Sequence, residues 1–85
     1  MGEKPVRSLR TAEYDRLLQL LRDLRSQSGL TQKQLCERLG QEITYVSKVE
    51  RGTRRIDAIE LFDYIKALDR DPLSVLSEFW KGRAT

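Results

Sequence analysis

Short stretches of apolar periodicity alternate along this chain with single residues that start or stop helices. Tyr14, Leu17, Leu21 and Leu24 recur at spacings of three and four, and Leu18 and Leu20 widen the stripe. That period marks a helix with one buried face. Thr11 stands where a cap is needed, and Glu13 and Asp15 lie in the first turn, where the helix dipole favours acids. Gly29 is a natural stop, which gives a first helix of about 15 residues. Thr31 caps a second segment, Gln32 to Leu39, with Leu35, Cys36 and Leu39 inward and Gly40 at its end. A third, roughly Ile43 to Arg51, turns Val46 and Val49 inward and closes at Gly52. Asp57 and Glu60 stand in capping-box spacing, with Asp in place of Ser or Thr. The fourth helix they open is expected to bury Ile59, Phe62, Ile65 and Leu68. Asp71 as cap and Pro72 at the first helical position open a fifth, which carries Leu73, Leu76, Phe79 and Trp80. The pattern predicts a compact all-α five-helix bundle with no strand and no internal repeat.

Only one or two residues separate the second helix from the third. So tight a linker cannot lay two short helices antiparallel; it makes them cross steeply, which is the helix-turn-helix unit. The chain has 85 residues, 39% of them hydrophobic, enough for one small domain over residues 11–82. Residues 1–10 show no periodicity and contain Pro5, so a flexible basic arm is expected there.

Net charge is +3, and its distribution matters more than its total. Lys4, Arg7 and Arg10 against Glu3 leave the first ten residues at +2, and Lys48, Arg51, Arg54 and Arg55 against Glu50 leave residues 48–55 at +3. Residues 57–71 reverse the sign, with Asp57, Glu60, Asp63, Asp69 and Asp71 against Lys66 and Arg70. A basic strip beside an acidic helix fits a polyanionic partner, or simply a solvated charged surface. The chemistry available is narrow. Histidine is absent and Cys36 is the one cysteine, which excludes an internal disulfide and a thiolate metal cluster. Neither a Gly-rich phosphate loop nor a nucleophile–base pair is present, so no enzyme, cofactor or metal is expected. No apolar run approaches the roughly 18 residues of a membrane span, and a cytoplasmic protein is expected, without a membrane partner.

The segment from Leu30 to Gly40 (LTQKQLCERLG) and its continuation from Tyr45 to Gly52 (YVSKVERG) resemble the phage-repressor and Cro type of helix-turn-helix regulators, the XRE-like family. That family's pattern is roughly LTQxxLAxxLG followed by xxxxxISxIExG. Cys36 takes the small-residue position, and Val46 and Val49 take the two isoleucine positions. About a dozen positions agree at fixed spacing, and the register covers about residues 14 to 80, a lambda-repressor-like DNA-binding domain.

The resemblance implies roles residue by residue. Cys36 faces the helix crossing, where a small side chain permits close approach, and Gly40 takes a left-handed turn conformation. Glu50 and Arg25 form a structural ion pair between the third and first helices. The third helix is the recognition helix, with Ile43, Thr44 and Lys48 toward bases and Glu42 at its start. Lys48 can donate to guanine, Thr44 to a base or phosphate, and Ile43 can meet a thymine methyl or else pack inward. Thr31, Gln32, Arg51, Arg54 and Arg55 are expected on the DNA backbone, while Tyr45 has two open roles, packing or a phosphate contact. Leu73, Leu76, Phe79 and Trp80 on the helix at 72–81 exceed what one small domain easily hides. A homodimer through that helix would set two recognition helices about 34 Å apart, one turn of DNA. The function implied is a sequence-specific transcriptional regulator, most often a repressor, on a palindromic operator in double-stranded DNA. The alternative is an antitoxin-like module that uses the same fold to bind a partner protein. A regulatory partner and association with the bacterial nucleoid are compatible with either.

Overall fold

The computed structural model describes residues 11–82 as α1 (Ala12–Ser28), α2 (Gln32–Leu39), α3 (Tyr45–Arg51), α4 (Ala58–Ala67) and α5 (Pro72–Lys81). No strand occurs among the described residues, so the all-α expectation holds; the arm expected at 1–10 lies outside them. Side-chain oxygens begin four of these helices. Thr11 Oγ1 accepts from the Tyr14 N–H at 3.0 Å and Asp71 Oδ2 from the Ser74 N–H at 3.0 Å. Thr31 and Gln34 cap α2 reciprocally, as do Asp57 and Glu60 for α4. Each satisfies amide donors that the first turn leaves without an intrahelical partner.

The third helix is the exception, and it starts two residues later than its periodicity suggests. Thr44 has φ −94° and ψ −2° and makes no side-chain cap bond. Instead the Tyr45 N–H closes a turn onto the Glu42 carbonyl at 3.0 Å, leaving Ile43 and Thr44 in the turn. The Cys36 thiol, 1% exposed, secures this entry from below. Its Sγ donates to the Ile43 carbonyl at 3.5 Å and accepts from the Val46 N–H at 3.4 Å. Gly40 takes φ +67°, and its N–H reaches the Cys36 and Glu37 carbonyls. A Cβ there would meet no neighbouring atom, so the need for glycine is conformational.

Packing runs from α1 to α3, α3 to α2, α2 to α4 and α4 to α5. Leu21, Leu35, Val46, Val49, Tyr64 and Ile65 are wholly buried at its centre. In α1 the buried stripe is Tyr14, Leu18, Leu21 and Leu24, with Leu17 at its margin. In α4 the expected register is wrong for two positions: Ile59 is 74% exposed and Phe62 37%. The inward face is Leu61, Tyr64, Ile65 and Leu68. Two helical stripes compete in this apolar helix, and the one that prevails puts Tyr64, the largest wholly buried side chain among the described residues, at the centre. In α5, where more apolar groups were expected than the domain can hide, Pro72 and Val75 are buried, Leu76 and Phe79 half-buried, and Leu73 and Trp80 exposed. Arg38 of α2 ties down the turn between α4 and α5, donating to the Ala67 carbonyl at 2.8 Å and to Asp69 at 3.0 Å.

The choice of Tyr64 carries a cost. Its hydroxyl is buried without a hydrogen-bond partner among the described residues, and burial pushes its pKa far up. An orphaned buried hydroxyl costs about 1–3 kcal/mol. Tyr64→Phe keeps the ring and removes the orphan, so the denaturant midpoint is expected to rise, by about 1 kcal/mol in stability. A loss of stability in urea titration would contradict this account.

Candidate nucleic-acid interface

Glu50, in the last turn of α3, is the one buried charged residue among the described core, 4% exposed. Burial of a carboxylate demands compensation, and two neighbours supply it while a third holds the main chain. Arg25 of α1 forks onto it, Nε to Oε2 at 2.6 Å and Nη2 to Oε1 at 3.1 Å. Gln32 of α2 donates its Nε2 to Oε1 at 2.9 Å, and Arg22 of α1 donates to the Glu50 main-chain carbonyl. Arg25 also reaches the Leu30 carbonyl at 3.0 Å, which fixes the turn between α1 and α2. The hydrogen bond to Glu50 holds the Arg25 guanidinium above its usual pKa, against an opposing effect of burial. The ion pair implied by the sequence therefore exists and belongs to a larger cluster joining three helices.

With its inner side so held, α3 presents an outer side at its start. Ile43 is 64% exposed, and Thr44 and Lys48 are exposed with it. Thr44 and Lys48 are four residues apart, one above the other on a helical surface. Ile43 thus faces solvent and does not extend the core. Glu42 is exposed too, its carboxylate 4.0 Å from the Lys48 ammonium. Beyond α3 the chain folds back over the helix end. The Lys48 carbonyl accepts from the Thr53 N–H at 3.0 Å, the Arg54 N–H at 3.3 Å and the Thr53 hydroxyl at 3.2 Å.

The residues expected on the DNA backbone divide. Thr31 is exposed at the start of α2, its oxygen accepting from the Gln34 N–H. Arg51 and Arg55 are exposed, the Arg55 guanidinium 4.3 Å above the Tyr14 ring centre. Gln32, expected to give its amide to a phosphate, gives it to Glu50. Tyr45 is 4% exposed, its ring 6.4 Å from that of Tyr64, so of its two open roles the structure takes packing and corrects the phosphate contact. Arg54 is occupied within the chain, forked onto Glu60. Sequence reasoning missed Arg22, although it lies one turn before Arg25 on the same face, and saw Glu60 as a cap without its second partner.

No group of three or more His, Cys, Asp or Glu side chains is placed to hold a metal among the described residues. Among them, too, no helix is long and apolar enough to cross a membrane.

The connection is longer than the one or two residues expected, running over residues 40–44 because the turn at Ile43 and Thr44 delays α3, and Gly40 opens it in the left-handed conformation. An eight-residue helix and a seven-residue helix joined in this way, the second displaying polar and basic side chains, define a helix-turn-helix protein. Residues 21–74 match the family model described as helix-turn-helix. A solved structure of an XRE-family like protein from Pseudomonas syringae pv. tomato str. DC3000 is similar with a TM-score of 0.82 and 41% identity, over 86% of this chain and 89% of that one. No curated protein matches the chain. The chain belongs to the XRE-type helix-turn-helix family. The family is one of DNA-binding transcription regulators, a kind not typically enzymatic, and its partner is double-stranded DNA.

The buried cluster yields a direct test. Arg25→Ala strands the Glu50 carboxylate and is expected to cost about 3–5 kcal/mol in denaturant titration. Replacing both partners, Arg25→Met with Glu50→Met, should recover most of that loss. A double variant as unstable as the single one would show that the charges themselves, and not their mismatch, hold the helices.

Proposed function

We propose that this chain is a sequence-specific repressor that binds a palindromic operator as a homodimer, with α3 as its recognition helix. The observation that carries the reading is the two-sidedness of α3: Glu50 locks its inner side while Ile43, Thr44 and Lys48 stand exposed at its start. In a major groove Lys48 would donate to guanine O6 or N7, Thr44 to a base or phosphate, and Ile43 would meet a thymine methyl. Thr31, Arg51 and Arg55 flank that surface as contacts to the backbone, which position the helix and make binding salt-dependent. Gln32 joins them only through the face of its amide not given to Glu50. Occupancy of the operator would then block polymerase.

The dimer is supported by α5. Leu73 is 68% exposed and Trp80 64%, with half-buried Leu76 and Phe79 between them. Exposed apolar groups so close together on one helix mark a partner surface, and a two-fold axis through it would present two α3 helices to successive turns of DNA.

Selection of bound sequences from random duplex DNA tests the proposal as a whole: a palindromic consensus is expected, and a single unpaired half-site would remove the dimer from it. For the base contact, Lys48→Ala should lose about 1–3 kcal/mol on the selected operator and little on random DNA. Equal losses on both would assign Lys48 to phosphate. For the dimer, sedimentation at tens of micromolar should give twice the chain mass for the native protein and the chain mass for Trp80→Glu. A native protein that stays monomeric with and without DNA would sink the homodimer.

A further inference from the structure

Arg54 was placed by its sequence position among the basic groups that would grip phosphate, yet its geometry describes another task. It lies two residues beyond Gly52, in the loop between α3 and α4. Its Nη1 meets Glu60 Oε1 at 3.0 Å and its Nη2 meets Oε2 at 2.9 Å, a parallel two-bond fork. Nη1 donates as well to the Arg55 carbonyl at 2.7 Å. Glu60 is not a loose surface acid. Its Oε1 also accepts from the Asp57 N–H at 3.0 Å, because Glu60 is the returning half of the α4 cap. The anion that holds Arg54 is therefore itself held by a helix terminus. The fork raises the Arg54 pKa and, with the Asp57 N–H, lowers that of Glu60.

The guanidinium lies over a second group, its Cζ 4.9 Å from the centre of the Tyr45 ring. Arginine stacks in this way on aromatic faces, where its charge meets the negative side of the ring. Tyr45 is the first residue of α3, and its ring is enclosed between Arg54 on one side and the core around Tyr64 on the other. A continuous set of contacts thus runs from the start of α4 through Glu60 and Arg54 to the start of α3. Thr44 precedes Tyr45 by one residue and Lys48 follows it by three, so whatever fixes Tyr45 fixes the spacing of the groups that face a base.

Two facts weigh against a phosphate role. The fork pairs the Arg54 charge with a carboxylate, so the pair adds no net positive charge to the surface. To reach a phosphate, Arg54 would also have to abandon two charge-assisted bonds and the stacked ring together. We infer that Arg54 is a positioning residue for sequence reading: through the Glu60 fork and the stack on Tyr45 it sets the first turn of the recognition helix, and it is not one of the phosphate contacts. The inference rests on α3 being the recognition helix.

Three variants separate this role from a phosphate contact. Arg54→Lys keeps the charge and loses the fork, Arg54→Ala loses both, and Glu60→Gln keeps a side chain able to complete the cap while removing the carboxylate. Binding is measured on the selected operator and on random duplex between 50 and 200 mM salt, and amide hydrogen exchange of α3 is measured on the full chain without DNA. All three variants are expected to lose roughly tenfold or more on the operator and little on random DNA, with the salt slope unchanged. In the DNA-free protein, exchange at Val46 to Lys48 should quicken in all three while the core amides of α4 keep their protection. The inference is overturned if Arg54→Lys binds as the native protein does while Arg54→Ala weakens equally on both duplexes and its salt slope falls by about 0.9, one phosphate. It is overturned also if Glu60→Gln tightens binding to both duplexes, because a released Arg54 would then be serving phosphate. A native protein with no sequence preference defeats the recognition reading of α3, whereas unchanged α3 exchange in Arg54→Lys defeats the positioning role alone.

Discussion

The buried carboxylate of Glu50 is the constraint around which the three N-terminal helices are arranged. A charge taken out of water must be met on its remaining lone pairs, and the groups that meet it come from α1 and α2 while the charge itself comes from α3. An apolar residue at that position would pack without specifying which way the helix faces. A carboxylate accepts only the rotation that brings it to Arg25 and Gln32 at once. The outer face of α3 is thereby aimed by an interaction on its inner face. The Arg22 bond to the Glu50 carbonyl adds a second tether, on the main chain itself.

This division of labour explains why so short a helix serves. Seven residues form fewer than two turns, and isolated helices under roughly 12 residues are marginal in water. α3 also lacks the side-chain cap that begins each of its neighbours. Its stability is supplied from outside: by Val46 and Val49 in the core, by the Cys36 thiol below its entry, by Arg54 over Tyr45, and by the loop that folds back onto the Lys48 carbonyl. Ile43 and Thr44, exposed at the start of α3, carry none of that stability, so the outer surface there can vary without loss of fold.

Much of the fold was legible in the sequence because its signals are local. Thr11, Thr31, Asp57 and the Asp71–Pro72 pair mark helix starts through bonds to residues three positions on, and Gly40 marks a turn through its own backbone. The small residue at the helix crossing and the Arg25–Glu50 pair were readable through the family pattern. What escaped depends on groups distant in sequence or on a contest between equal patterns. The start of α3 is decided by a turn and by a thiol ten residues before Val46, neither of which periodicity registers. In α4, Ile59 and Phe62 promise a buried stripe as good as the true one, and the polar hydroxyl of Tyr64 hides the residue that fills the centre. Tyr45 and Arg54 look alike as binding groups in isolation; only the folded chain brings Tyr64 beside the one and forks Glu60 onto the other.

One buried atom has a practical consequence. Cys36 is the sole cysteine of the chain, and its sulfur sits beneath the turn that joins α2 to α3, closed to solvent and bonded on both sides. A thiol so placed cannot meet an alkylating reagent until that crossing opens. The chain therefore carries its own clock: the rate at which Cys36 is labelled under native conditions reports how often the helix-turn-helix comes apart, and the slowing of that rate on DNA measures how firmly the duplex holds it shut.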